Sequence, residues 1–408
     1  MTTLRLAWRN LNRNRRRTLL TSSALTIGLV VLIIDLGLLD GIDLQSINNL
    51  VAYDVAHVKA FAPGYMDEEL PGLDHTLSNV DSLLALLDGE QKVVAATPRL
   101  EISGVLIHSG EETFIRVVGV DPVRDLTVFG TLQAVVEGRT IQDDTPVALI
   151  GDRLASDIGL RVGDIITLLV RSAPGALNTR TLPVAGILSS GHPKVDQFAV
   201  YIPLSLAREM AILPDAATEI AIRSDRLEDS ERTALLLART VPGLDWRAWG
   251  DLAGDFIRLS RLKRMGQGII IGVLALMAAV GIANTRIMAV HERTREIGTL
   301  RAFGFSAGMV GRIFLCEGLL IGLIAGSAAV VIGVAVVGYL GVHGISLAAY
   351  GDMDIGYPVR DAIYPVVNAG SVITSFLFGL VVSLLASWGA SRRAARGQVV
   401  RALREGAL

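Results

Sequence analysis

The chain has 408 residues, of which 51% are hydrophobic and only 19% charged, and its mean hydropathy is +0.49. Soluble proteins carry about 25% charged residues, so this composition excludes a disordered chain and argues against a purely soluble one. The single cysteine, Cys316, excludes a disulfide framework and a multi-cysteine zinc site. The net charge of −2 conceals an uneven distribution: 34 of the 38 cationic side chains are Arg, and 16 of the 38 fall within residues 1–18, 286–312 and 389–408. Only Glu292, Glu296 and Glu405 oppose them there. Short basic segments in an otherwise acidic chain suggest two sides of a membrane.

At the N-terminus, residues 1–17, Leu4, Trp8 and Leu11 recur at i, i+4 and i+7, while Arg5, Arg9 and Asn12 fall elsewhere on the turn. This pattern predicts an amphipathic interfacial helix in contact with membrane lipids. The first apolar run, 18–39, has Asp35 as its only charge, and about 20 apolar residues are needed to cross a bilayer. It is too long for a signal-peptide core, and no small-x-small site follows it cleanly, so an uncleaved anchor is expected. Three further spans are predicted at 265–287, 313–342 and 368–388. Positive-inside bias assigns 1–17, the segment 288–312 and the basic tail 389–408 to the cytoplasm. Both termini are then cytoplasmic, with 40–264 and the loop 343–367 outside.

Residues 40–264 alternate short β-like runs (Ala95–Ile107, Thr113–Val120, Val147–Ile150, Ile165–Arg171, Thr181–Leu188, Phe198–Ile202 and Ile220–Arg223) with helical stretches near Val80–Leu87, Ser205–Leu213 and Glu228–Thr240. Asp251–Arg264 has a helical pattern that continues into the second span. The expected architecture is an integral membrane protein of four transmembrane α-helices, with a large extracytoplasmic α+β domain inserted between helices 1 and 2.

Within the spans, Asp35 is expected as a solvated carboxylate near the outer interface. Glu317 is expected to cap its helix or pair with a nearby Arg such as Arg312, rather than relay protons. Gly318, Gly322 and Gly326 repeat every four residues and suggest a helix-packing face. There is no G-x-x-x-x-G-K-[ST] and no H-E-x-x-H in the sequence, so neither a P-loop nor a zincin site is expected. Gly304-Phe305-Ser306-Ala307-Gly308 matches G-x-S-x-G, but no strand precedes it, so a turn is expected rather than a nucleophile. No catalytic residue, metal ligand or cofactor is expected on this chain.

The richest stretch is 284–322. Val290, Ile297 and Leu300 place one apolar stripe along a charged helix, and Glu292 and Glu296 stand four apart, each one position from an Arg. The run Glu292-Arg293-Thr294-Arg295-Glu296-Ile297-Gly298, then Leu300-Arg301-Ala302 and Gly304, then Phe314-Leu315-Cys316-Glu317-Gly318, resembles the FtsX/MacB/LolC type of ABC transporter permease, the mechanotransmission family. Ala7-Trp8-Arg9-Asn10-Leu11, Leu154–Leu168, Val184–Ile187 and Val200–Leu204 are similar to that family as well. With no fused ATPase and a large outer domain, the chain looks nearest the lipoprotein-releasing LolC/LolE type.

The resemblance implies a permease in the bacterial inner membrane, served by a separate cytoplasmic P-loop ATPase that carries ATP and Mg. That ATPase would dock on Val290, Glu292, Arg293, Arg295, Glu296, Ile297, Leu300 and Arg301. A second permease copy or paralogue would complete the transporter. The cargo would be a lipoprotein, lipid or other hydrophobic substrate of the outer leaflet, with an extracytoplasmic carrier or adaptor as a further partner and no nucleic acid. FtsX-like signalling to a cell-wall hydrolase, and MacB-like efflux of a drug or peptide through a periplasmic adaptor, are the alternatives.

Overall fold

The computed structural model describes residues 2–67, 72–346 and 362–396. Most of the loop expected at 343–367, and the tail beyond residue 396 with Arg401 and Arg404, lie outside the described residues. The chain divides into two units. One comprises Met1–Ile42, Arg261–Ile345 and Ile363–Leu408, and the other Asp43–Ser260 and Ser346–Ala362. In chain order the α-helices are α1 (Thr2–Arg13), α2 (Arg15–Leu50), α3 (Val80–Leu87), α4 (Pro122–Val128), α5 (Asp152–Asp157), α6 (Pro193–Phe198), α7 (Leu204–Ala211), α8 (Ser230–Thr240), α9 (Trp249–Leu252), α10 (Gly254–Glu292), α11 (Thr294–Ala302), α12 (Ala307–His343) and α13 (Ala369–Arg396).

Four of these, α2, α10, α12 and α13, are long and apolar enough to cross a membrane. A helix rises 1.5 Å per residue, so about 20 residues cover the ~30 Å of hydrocarbon. The 36, 39 and 37 residues of α2, α10 and α12 therefore run well past it. Each apolar run marks only part of a longer helix. α2 ends in a π-helical turn, Val51–Val55, closed by the Ala56 N–H donating to the Val51 carbonyl.

The membrane unit packs through small and branched side chains. Leu25, Leu29 and Ile33 of α2 meet Ile321, Ala325 and Ala329 of α12, with Val382 and Ala386 of α13 closing the cluster. A methyl group added at Gly318 would lie 2.3 Å from the Ser387 hydroxyl, and one at Gly326 would lie 2.8 Å from the Phe376 ring. The Gly318, Gly322 and Gly326 face thus lies directly against α13, near enough for the Ser383 hydroxyl to donate to the Gly318 carbonyl at 2.8 Å. Asp35 is half-buried and accepts a hydrogen bond from the Gln267 amide, so it has a protein partner, where a solvated carboxylate was expected. Asp40 holds Arg264 at 3.0 Å and the Ser371 hydroxyl at 2.6 Å.

The second unit is built on a ten-stranded sheet. Its strands are β1 (Val58–Phe61), β2 (Val93–His108), β3 (Glu111–Val120), β4 (Val135–Gly138), β5 (Ala148–Gly151), β6 (Ile165–Arg171), β7 (Leu177–Leu188), β8 (Ala199–Pro203), β9 (Glu219–Ser224) and β10 (Asp245–Ala248). The order is β10-β1-β9-β2-β3-β8-β5-β7-β4, and β6 bridges β2 and β7. β2 and β3 form a hairpin from Arg99↔Val120 to His108↔Glu111. Its two loop residues, Ser109 and Gly110, have φ of 51° and 88°, the positive values that a type I′ turn requires.

α3 and α8 cover β1, β9 and β10 with Leu84, Leu87 and Leu237. α5 and α7 cover a second core around Leu100, Ile150, Ile166 and Ile202. The four-residue strands β1 and β4 have no legible alternation in the sequence, and β10 alternates over only four residues, Asp245-Trp246-Arg247-Ala248. They form because an existing strand offers them unpaired N–H and C=O groups.

Candidate coupling site around Glu317

The chain makes three sharp breaks near the basic segments, and each has a local cause. Asn14 alone separates α1 from α2, and the Arg15 guanidinium turns back to the Asn12 carbonyl and side chain at 3.2 and 2.8 Å. Arg293 alone separates α10 from α11, with φ −102° and ψ 13°. Gly304, at φ 89°, closes α11. Ser306 then caps α12, its hydroxyl accepting from the Met309 N–H at 3.2 Å. The G-x-S-x-G string is thus a helix start, with its serine used as an N-cap.

These breaks bring α1, α10, α11 and α12 around one buried carboxylate. Glu317 is 1% exposed. Its Oε2 accepts from Arg286 at 2.8 Å, and its Oε1 accepts from Arg293 at 3.1 Å and from the Asn10 amide at 2.9 Å. Arg286 and Arg293 are themselves buried. Arg312, the partner considered from the sequence, is exposed. It sits on α12 itself five positions earlier, where the helix turns it off the Glu317 face, whereas Arg286 and Arg293 arrive from the facing helix and the break after it. A carboxylate that accepts from two guanidiniums and an amide has the arrangement of a structural clamp.

Two outer pairs reinforce the clamp. Arg17 holds Glu292 at 2.7 Å, and Arg13 holds Glu296. The acidic residues of the motif therefore bind the basic N-terminal segment of the same chain. Ala7 and Leu11 of α1 are buried, whereas Leu4 and Trp8 are 49% and 55% exposed.

The apolar stripe is also used internally. Val290 on α10 and Ile297 on α11 are buried against Val310 and Phe314; the break at Arg293 divides the expected stripe between two helices, and the turn at Gly304 folds α11 back along the start of α12. Leu300 and Arg301 are half-buried. What α11 leaves open is a different strip: Arg295 and Thr299 are exposed, and Phe303, just past the helix, is 80% exposed. Sequence reasoning missed Phe303. Its signal was a large aromatic residue directly after the charged helix and before a glycine.

The sheet unit holds its own charged interior. Arg99 donates to both oxygens of Asp125, at 2.8 and 3.0 Å, and to the Thr131 hydroxyl at 3.2 Å. Its guanidinium lies 3.4 Å from the Phe129 ring centroid. Lys59 donates to Glu219 at 2.7 Å. Asp54, in the π turn, faces Lys194 at 3.6 Å and Arg116 at 3.8 Å, and Arg116 also holds Glu101 at 3.2 Å. No cluster of three His, Cys, Asp or Glu side chains with metal-binding geometry occurs among the described residues.

His192 belongs to this interior and is 4% exposed. Burial pushes its imidazole down to about 4, further than the Asp54 carboxylate can raise it, and Lys194 and Arg116 add to the depression. The folded chain therefore keeps His192 neutral, while the unfolded chain takes up the proton from pH 6.5 downward. The stability this supplies is complete above pH 6.5 and is lost as the pH falls toward 4. The loss amounts to about 3 kcal/mol. Unfolding followed by tryptophan fluorescence at pH 7 and pH 4 checks this. His192→Gln removes that part of the acid sensitivity, and an unchanged pH dependence in the variant contradicts the assignment.

Comparison with known proteins agrees with this architecture. Residues 18–239 match the MacB-like periplasmic core domain, and residues 268–399 match the FtsX-like permease C-terminal domain. The chain is 25% identical to the lipoprotein-releasing system transmembrane protein LolC of Neisseria meningitidis, over 95% of this chain and 94% of that one. It is also 25% identical to the macrolide export ATP-binding/permease protein MacB of Sodalis glossinidius, over 98% of this chain and 60% of that one. The periplasmic region of MacB from Actinobacillus actinomycetemcomitans aligns with 51% of the chain at 16% identity and a TM-score of 0.37. Four membrane helices with an α+β domain between the first and second define a permease of the ABC transporter class. The core-domain model spans more than half of the chain, so the chain belongs to the MacB-like periplasmic core domain family, as a permease of the LolC/MacB/FtsX type.

Proposed function

We propose that this permease passes motion from a separate cytoplasmic ATPase to its sheet unit, and that the ATPase seats on the open strip Arg295, Thr299 and Phe303. The observation that carries this reading is the division of labour in α11. Its Ile297 is buried with Val290 of α10 against α12, its Glu296 is tied to Arg13, and Glu292 at the end of α10 is tied to Arg17. Phe303 nonetheless remains 80% exposed. A large aromatic beside an arginine is the composition of an interface hot spot. The clamp at Glu317 makes the segment stiff enough for a push on α11 to move α1, α10 and α12 together. The basic segments favour the cytoplasmic side for this end of the helices.

The cargo of this reading is a lipoprotein, lipid or other hydrophobic substrate drawn from the outer leaflet. Lipoprotein release in the name of one relative and macrolide export in that of another support a hydrophobic cargo. The test is co-purification. The full chain is expressed with candidate soluble P-loop ATPases, and for one that co-purifies with wild type the Phe303→Asp variant is compared. Hot-spot loss predicts at least a roughly tenfold fall in recovered ATPase, on the order of 2 kcal/mol. Undiminished recovery with Phe303→Asp/Arg295→Glu overturns the docking assignment.

A further inference from the structure

At the junction of α1 and α2 lies an open cleft of about 560 Å³, lined by residues 12–17 and Glu292. Its volume falls within the roughly 300–1,000 Å³ of ligand pockets. Four guanidiniums, those of Arg13, Arg15, Arg16 and Arg17, face one carboxylate. Arg17 is engaged by Glu292, Arg13 by Glu296, and Arg15 by Asn12. Among the described residues Arg16 has no ion-pair or hydrogen-bond partner, and it is exposed. The cleft therefore carries uncompensated positive charge, in a form whose planar fork matches phosphate oxygens.

The chemistry of the rim selects among phosphates. Leu19 and Leu20, two and three residues beyond Arg17, are 65% and 71% exposed where the membrane span begins. A free anion would use only the arginines. An amphiphile would use the arginines for its headgroup and the leucines for its chains. We infer that the cleft binds the phosphate of an anionic phospholipid, with Arg15 and Arg16 as its ligands and the acyl chains lying along Leu19 and Leu20. Because Glu292 lines the same cleft, a bound phosphate competes with it for Arg17. Lipid occupancy then loosens the outer pair that ties α2 to the end of α10.

The site is tested without any ATPase, so its outcome is independent of the proposed docking strip. The full chain, purified in detergent, is analysed by native mass spectrometry with added phosphatidylglycerol, phosphatidylcholine or inorganic phosphate. Wild type is expected to retain phosphatidylglycerol about tenfold better than phosphatidylcholine, and not to release it to millimolar inorganic phosphate. Arg15→Gln/Arg16→Gln is expected to lose that preference. Arg5→Gln/Arg312→Gln, which removes the same charge from exposed positions outside the cleft, is expected to keep it. Equal retention of the two lipids by wild type, displacement by inorganic phosphate, or equal loss in both double variants overturns the proposal. The wild-type arms decide the matter even where a variant is unstable.

Discussion

Glu317→Gln is expected to cost the membrane unit about 3–5 kcal/mol, the penalty for removing one partner from a buried ion pair. The substitution keeps the shape of the side chain, removes its charge and turns one acceptor oxygen into an NH2 donor that faces other donors. Arg286 and Arg293 are 5% and 6% exposed and share this one carboxylate. Without it, two guanidiniums remain in a site that excludes water, and the Asn10 amide loses a charged acceptor. Thermal unfolding of the purified chain measures the loss. Adding Arg286→Gln to the variant should recover part of it, because the second change removes one of the stranded charges. A melting temperature within about 1 °C of wild type would show that the site is not a clamp. The same variant should loosen α1, so that proteolysis near Arg13 quickens.

The second large effect is expected in the sheet unit. Asp125→Asn leaves Arg99 without its charge partner at a position where Asp125 is 0% exposed and Arg99 2%. The cost is again about 3–5 kcal/mol, reduced to the extent that the Phe129 ring still shields the guanidinium. α4 itself should survive, because Pro122 starts it and the Asp121 carboxylate accepts from the Val123 and Arg124 N–H groups. The exposed pair Arg124–Asp88, at 2.8 Å, supplies the control. Asp88→Asn should cost less than about 1 kcal/mol, since solvent screens that pair. Hydrogen exchange over β2 and β9 separates the two, with faster exchange in Asp125→Asn alone. Equal protection in both variants would mean that the buried pair adds nothing beyond an exposed one.

Much of this protein is written locally in its sequence. A charged side chain at the centre of a bilayer costs about 2.5–3.5 kcal/mol, so charge-free runs of sufficient length identify α2, α10, α12 and α13 without any knowledge of their neighbours. Period-two alternation locates β2, β3, β6 and β7, because each strand has one face in a core. The repeat of an apolar residue at helical spacing likewise announces α3, α7 and α8. The motif around Glu292–Gly318 marks the segment that matters, through residues that lie close together in the chain.

What the sequence leaves open is which surface covers which. Helical periodicity groups Val290 with Ile297, but the chain breaks between them at Arg293, and only the fold packs both against α12 and leaves Phe303 outside. Small residues every four positions show that some helix approaches α12; the fold selects α13. The partners of Glu317 stand 24, 31 and 307 residues away, and nothing in their local context links them. β1, β4 and β10 become strands only once a neighbouring edge exists to receive them. Transfer free energy and backbone periodicity act within a few residues and are legible in order along the chain. Ion pairing, glycine contacts and edge pairing depend on distances that exist only after the chain has folded.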